Sequence, residues 1–536
     1  MTRNYLPSFD KILNFFPLSI LSLVLIYIWT GSPFPFQDYP QHLAIAKVIR
    51  DYAQNPLYQE YYMLSTGFVN YHSMHHLLAM LGTLVNLELA FNILLSMYAL
   101  VLFFAFRYFT STQFPNETAE NKVRLSFFSI VFFSPPLMMG FIPYILGIPF
   151  MIVGIGLCFD IATNGIKSFK EKFLKISGII GSIIACGFFH GFTLISLIIV
   201  SFCYYLATRK KDFVILSCAA FAYFLSLSSL MGLGLHKQSI WELESEYKFN
   251  YPGLQVFQEL FQIRWYGSLA SLNHFIWSFL ESHPTFLLLP LTILALVSIY
   301  FLNKLASQKF GISSSNPGFK ASLYLIAISF LCPWAVGWPT DFTFIDLRLF
   351  AIAAFLVYAS FPSKLLKNRQ QQKIIIAFLL LNTIFSYYGK ARFKMKADAA
   401  LELIDTIPDN KVLVSVITDH YSPYVAAYTG VYHFLPMFYT LRKEGVNTQF
   451  WANLTAHIPV KYKKNKSFSV PDWRTWQLKK SHLASGDFLL ANQPFEENKV
   501  TTKIRETYIP LTKKVSCIKQ WCLYKLNSQD VLDEIF

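Results

Sequence analysis

Charge is scarce in this chain. Of 536 residues, 14% are Asp, Glu, Lys or Arg, against 54% hydrophobic, and the mean hydropathy is +0.39. Soluble domains carry about 25% charged residues, so an ordinary water-soluble fold is excluded. Cysteine is sparse too. There are seven, and Cys158, Cys186, Cys203, Cys218 and Cys332 lie in or beside apolar runs, where a thiol acts as a small core residue. No HExxH or CxxC pattern occurs, which excludes the commonest zinc signatures. A glycine-rich strand–helix phosphate loop is missing, and so are internal repeats and low-complexity tracts; "GISSSNPGF" (311–319) reads only as a flexible loop. No A-x-A-like site follows the first apolar run, so that run reads as an uncleaved anchor.

What remains is apolar and aromatic. Aromatics make up 17%, with 53 Phe and 30 Tyr, a bulk that suits lipid-facing helices and interfacial belts. Runs long enough to cross a bilayer recur, so the chain reads as a polytopic α-helical membrane protein with about eleven spans of ~20 residues. They lie near 13–30, 87–106, 124–140, 142–162, 174–189, 191–207, 213–231, 284–302, 320–338, 343–361 and 373–389. The formal charge of +15 is read as topology rather than nucleic-acid binding, because basic residues between spans mark the cytoplasmic side. With the N-terminus inside, "RYFTSTQFPNETAENKVR", "NGIKSFKEK", "TRKKD", "NKLASQKFG" and "SKLLKNRQQQK" all fall on that side. This requires "FVNYHSMHHLLAMLGTLV" (68–85) to remain uncrossed, as an interfacial or re-entrant helix.

Two domains follow. Residues 1–389 form the transmembrane part, with large outer loops at 31–86 and 232–283. Residues 390–536 form a small α/β or α+β domain on the outer side. "KADAALELIDTIPDNKVLVSV" reads as an amphipathic helix, a Pro-Asp-Asn turn and a strand, and "SGDFLLA" and "CIKQWCLYKL" as further strands. Cys517 and Cys522 flank "IKQW" and are spaced for a disulfide closing a hairpin, given an oxidising compartment.

The stretch "QDYPQHLA" opens the first outer loop. Pro40 fits a first helical turn and Asp38-x-x-Gln41 matches a capping box, so a helix over 39–53 is expected to start there. Leu43, Ala46, Val48 and Ile49 would face lipid. Asp38 is then an N-cap, a general base at the membrane boundary, or both. His42, four residues on, shares its helix face.

This arrangement resembles the C-type (GT-C) glycosyltransferase superfamily, which includes protein O-mannosyltransferases, lipid A aminoarabinose transferases and oligosaccharyltransferases. An inward N-terminus, one span and an outer loop opening with an acid are similar to that layout. "QDYPQHLA" is similar to the D-x-P-x-H-L opening of uncharacterised bacterial members, and "GFIPYILGIPF" (140–150) and the outward C-terminal domain also resemble the group. The resemblance implies a polyprenyl-phosphate sugar donor, an outer-face lipid, glycan or protein acceptor, and inverting transfer in a bacterial inner membrane. A carboxylate base would take the acceptor proton, and a cation would stabilise the leaving phosphate. Asp38, His42 and His190 are the catalytic candidates. Arg348, Arg264 and Lys237 are the donor-phosphate candidates, with His236 beside them. Asp419, His420 and Tyr421 are acceptor-binding candidates.

Each has a plainer alternative. Arg348 could pair with Asp341 or Asp346, His190 could be interhelical glue, and 418–430 an ordinary strand-to-helix loop. His72 and His76 are an i, i+4 pair of weak metal candidates without a third ligand. No cofactor is implied with certainty, although a divalent cation is compatible with the chemistry. Asp38 has no second acid beside it, which keeps open a non-catalytic scaffold binding lipid-linked glycan. A lipid-linked saccharide transporter or flippase is the other rival, but polar residues concentrated on one face favour one-sided chemistry over alternating access.

Overall fold

The computed structural model describes residues 9–65, 72–232, 263–264, 317–331, 335–336, 342–343, 345–361, 363–417, 422, 425, 430–450, 458–463, 466, 483, 486–492 and 512–526. In chain order the helices are α1 (Phe9–Trp29), α2 (Tyr39–Asp51), α3 (Pro56–Tyr61), α4 (His72–Leu81), α5 (Leu87–Gln113), α6 (Thr118–Ser126), α7 (Phe128–Phe132), α8 (Pro135–Met138), α9 (Ile142–Asn164), α10 (Phe169–Phe189), α11 (Gly191–Thr208) and α12 (Lys211–Gly232). Further helices cover Pro317–Leu331, Ile345–Ala359, Ser363–Lys367, Arg369–Thr406 and Phe438–Lys443. Among the described residues, five helices are long and apolar enough to cross a membrane: α5, α9, α10, α11 and Arg369–Thr406.

The chain forms two compact units. The first comprises Met1–Thr30, Leu94–Leu137 and Phe141–Tyr387; the second comprises Gly31–Ile93, Met138–Gly140 and Tyr388–Phe536.

In the first unit, α9 packs against α10 and α11, and α11 against α12 and Pro317–Leu331. Close approach depends on small residues. A Cβ on Gly147 of α9 would lie 2.6–2.9 Å from the Thr193 side chain of α11, so glycine lets the two backbones meet. Arg124 is fully buried, 2.7 Å from the Glu117 carboxylate, and its guanidinium donates to the Phe361 carbonyl.

Several expected spans differ. Residues 124–140 do not form one helix; α6, α7 and α8 divide them. Pro135 and Pro136 explain part of the break, because proline lacks the N–H and disfavours a helical residue before it. The span expected at 320–338 ends at Leu331, and Ala335–Val336 is a strand. The span expected at 343–361 is the 15-residue helix Ile345–Ala359. The 284–302 span lies outside the described residues. α4 has ten residues, about 15 Å of helix, too short to cross.

The second unit holds a five-stranded mixed sheet. Its strands are Val446–Asn447, Val412–Val416, Phe488–Ala491, Trp521–Leu526 and Thr512–Ile518, in that spatial order. Val412–Val416 is parallel to both its neighbours, and the last two strands form an antiparallel hairpin. Across that hairpin Cys522 faces Cys517, and the two are joined in a disulfide. The turn after the helix is made by residues 408–410, with Asn410 at φ 57°, a left-handed position asparagine tolerates. A separate pair, Tyr62–Leu64 with Val460–Tyr462, ties the early segment to the late one.

The described parts of segment 31–86 are therefore folded structure and share a core with the C-terminal region. Ala44, Ile45 and Val48 of α2 cluster with Tyr58, Tyr62, Val412, Phe434, Met437, Val446 and Phe450. The expectation that Leu43, Ala46, Val48 and Ile49 face lipid is corrected. Leu43, Ala46 and Val48 are fully buried in protein, and Ile49 packs against the same core. Every residue of α2 from Tyr39 to Val48 is buried, as expected of a helix surrounded by protein rather than lying on a surface.

Candidate functional site

α2 begins as the sequence predicts, immediately after Asp38, with Pro40 in its first turn. Its capping chemistry differs. Asp38 has φ −89° and ψ −2° and makes no side-chain capping hydrogen bond. That backbone is helical, whereas a capping side chain reaches the N2 or N3 amide from an extended residue. Gln41 does not complete a capping box either. Its amide donates to the Gln449 carbonyl at 2.9 Å. Asp38 is 5% exposed, so a carboxylate is held inside the second unit without serving as the helix cap.

Gly140 sets the backbone around it. At φ +83° it occupies a conformation that favours glycine. A Cβ there would lie 2.5 Å from the Asp38 nitrogen, 2.7 Å from its Cβ and 2.9 Å from its Cα. One residue earlier, the Gln37 N–H donates to the Met138 carbonyl at 3.0 Å, while the Gln37 side chain accepts from the Gly430 N–H at 2.9 Å.

His42 is fully buried. Its Nε2 lies 2.8 Å from the Gly140 carbonyl and its Nδ1 2.9 Å from Nε2 of His75. A carbonyl only accepts, so Nε2 carries the proton, and in the neutral ring Nδ1 accepts from His75. Burial pushes the His42 pKa down to about 4, opposed by the Gly140 carbonyl. Both ring nitrogens are thus committed to protein partners, which leaves neither for a substrate.

His75 and Gly140 are the residues that sequence reasoning passed over. The i, i+4 spacing drew attention to His72 and His76, whose rings stand 6.3 Å apart, one buried and one exposed. Among the described residues no group of three His, Cys, Asp or Glu side chains could hold a metal ion. The usable signal was helical periodicity: His75, Leu78 and Ala79 lie on one buried face of α4.

The first unit gathers two other candidates. His190 separates α10 from α11, and its Nδ1 accepts the Phe192 N–H at 3.0 Å. It therefore caps α11. Its ring meets Tyr144 edge-on at 6.0 Å. Arg348 is 6% exposed, and its guanidinium lies over Phe141, Phe192 and Tyr144 at 4.3, 5.2 and 5.3 Å. Tyr144 donates its hydroxyl to the Arg348 carbonyl at 3.2 Å. The result is a cation set in an aromatic cage, an arrangement that stabilises a guanidinium away from water.

Lys237, His236, Asp419, His420 and Tyr421 lie outside the described residues, as does Asp341. Arg264 is in the short strand Ile263–Arg264, paired with Ala335–Val336. No protein-family model matches the chain, and no curated protein matches it.

Proposed function

We propose that this chain is an integral membrane glycosyltransferase that moves a sugar from a polyprenyl-phosphate donor to an acceptor. The observation that carries the reading is Asp38: an acid 5% exposed, with its backbone seated against Gly140, and not spent on capping its helix. Burying a carboxylate is costly, and a rigidly held acid suits a general base.

In the proposed reaction the acceptor hydroxyl attacks the anomeric carbon. The bond from that carbon to the phosphate oxygen breaks, and its electron pair leaves with the polyprenyl phosphate. The acceptor proton passes to the Asp38 carboxylate. Attack opposite the leaving group inverts the configuration. His42, neutral and fully engaged, takes no part in proton transfer.

The topology that accompanies this reading has the N-terminus in the cytoplasm and residues 390–536 outside, in a bacterial inner membrane. The basic segments between helices support the orientation, and the Cys517–Cys522 disulfide supports an oxidising compartment for the C-terminal region.

The test uses full-length protein in proteoliposomes with radiolabelled polyprenyl-phosphate sugars and a panel of acceptors. Wild type is expected to transfer label, and Asp38→Asn to lose roughly 10²-fold or more. Equal transfer by both proteins would remove Asp38 as the base. Donor binding without transfer would support a scaffold instead.

A further inference from the structure

Three residues around Asp38 do nothing in that reaction, yet they form a closed set. The Asp38 carbonyl accepts from the His42 N–H at 3.1 Å, one turn along α2. The His42 ring reaches out to the Gly140 carbonyl at 2.8 Å. Gly140 returns to lie against the Asp38 backbone so closely that any side chain would collide with it. Behind His42 stands His75, fully buried, 2.9 Å from Nδ1.

We propose that His75, His42 and Gly140 are positioning residues that hold Asp38 in place, with the Gly140 carbonyl fixing the His42 tautomer and His75 anchoring the ring through Nδ1. The proposal rests on the assignment of Asp38 as the base, and its physical content can be read separately. A neutral imidazole has one donor and one acceptor. The Gly140 carbonyl only accepts, so the proton sits on Nε2 and Nδ1 accepts from His75. Without that donor the buried Nδ1 loses its hydrogen bond and the ring loses the anchor that holds it against Gly140. The backbone seat of Asp38 would then loosen. A partner on one ring nitrogen fixing the work of the other is the general behaviour of histidines held by a second group.

The substitutions that test this are His75→Gln, which keeps an amide N–H able to donate to Nδ1, and His75→Leu, which removes the donor. Selective nitrogen-15 labelling of histidine in full-length protein in nanodiscs reads the His42 tautomer directly. Wild type is expected to show the Nε2–H form at pH 7 with a hydrogen-bonded Nδ1, His75→Gln the same pattern, and His75→Leu the Nε2–H form with its Nδ1 resonance moved downfield to that of a nitrogen without a donor. A hydrophobic carbodiimide, with the Asp38 peptide followed by mass spectrometry, reads the carboxyl's surroundings without any turnover. Its labelling rate is expected to change in His75→Leu and return in His75→Gln. In the transfer assay His75→Leu is expected to lose kcat by roughly 10²-fold, the scale of about 1 Å misplacement, with the donor KM held. An Nδ1–H ring or an imidazolium at His42 in wild type would overturn the proposal even if His75→Leu failed to fold. So would an unchanged Nδ1 resonance and unchanged labelling in a folded His75→Leu. If no form of the protein transfers sugar, the glycosyltransferase reading fails, while the nitrogen-15 and carbodiimide results still decide the positioning claim.

Discussion

His42 donates its Nε2–H to the Gly140 carbonyl at 2.8 Å, joining residues 98 positions apart. Through this bond α2 and the short turn after α8 hold each other, and Asp38 lies between them. Predictions about the acid therefore concern its surroundings as much as its charge.

Asp38→Asn and Asp38→Ala are expected to fold alike. Since Asp38 makes no capping hydrogen bond, alanine should not incur the ~1 kcal/mol typical of a lost cap. Thermal unfolding of the two variants in detergent checks this. A deficit of that size confined to the alanine form would mean that the carboxylate caps α2 after all.

Gly140→Ala is expected to be far more damaging than its size suggests. The residue sits at φ +83°, and the new Cβ would meet backbone atoms of Asp38, which cannot turn aside. A left-handed alanine together with overpacking costs roughly 2–4 kcal/mol. The unfolding midpoint reports it. A neutral substitution would show that Gly140 can move without consequence.

Acid should destabilise the second unit through His42. Its folded pKa, about 4, lies below the ordinary 6.5. The unfolded chain therefore binds the proton more readily, and stability falls as pH drops through the window between those values. The slope is about 1.4 kcal/mol per pH unit, or roughly 3 kcal/mol in total. His75 faces the ring, and His72 and Asp38 belong to the same unit, so the measurement is the difference between wild type and His42→Gln. Burial pushes the Asp51 carboxyl up, but Arg50 and Lys47 outweigh it and hold it below its ordinary 3.8. Its contribution is therefore lost only at lower pH. Equal pH dependence in both proteins would show that His42 titrates normally.

Arg124→Met should destabilise the first unit by about 2 kcal/mol, because a fully buried guanidinium is lost together with the hydrogen bonds it makes. Glu117 would lose its 2.7 Å contact, and the Phe361 carbonyl its donors. Adding Glu117→Gln should recover part of the loss. A double-mutant cycle with no coupling would show that the pair is incidental.

The proposed orientation is checked by labelling introduced cysteines in a Cys218→Ser, Cys332→Ser background with a membrane-impermeant maleimide. Lys513→Cys, on the exposed face of the hairpin, should label in intact cells. Ile166→Cys, 41% exposed in the turn after α9, should label only after permeabilisation. The reverse pattern would place the C-terminal region in the cytoplasm.

Local features of this protein were readable from the sequence because they depend on neighbours in the chain. Apolar run length marked α5, α9, α10 and α11. Proline near the first turn marked the start of α2, and alternating strands flanking Lys519 and Gln520 marked the hairpin that brings Cys517 opposite Cys522. Tertiary structure decided what those elements do, because burial and long-range pairing depend on which surfaces meet. α2 has enough apolar residues to lie on a lipid surface, but Tyr58, Tyr62, Phe434 and Phe450 cover it instead. Asp38 and Gln41 have the spacing of a capping box, yet Gln449, distant in sequence, takes the glutamine amide. Three histidines on or beside α4 look alike in sequence. Only packing of α4 against α2 selects His75 as the partner of His42, and only a glycine at 140 lets the chain come close enough to Asp38 to close the set.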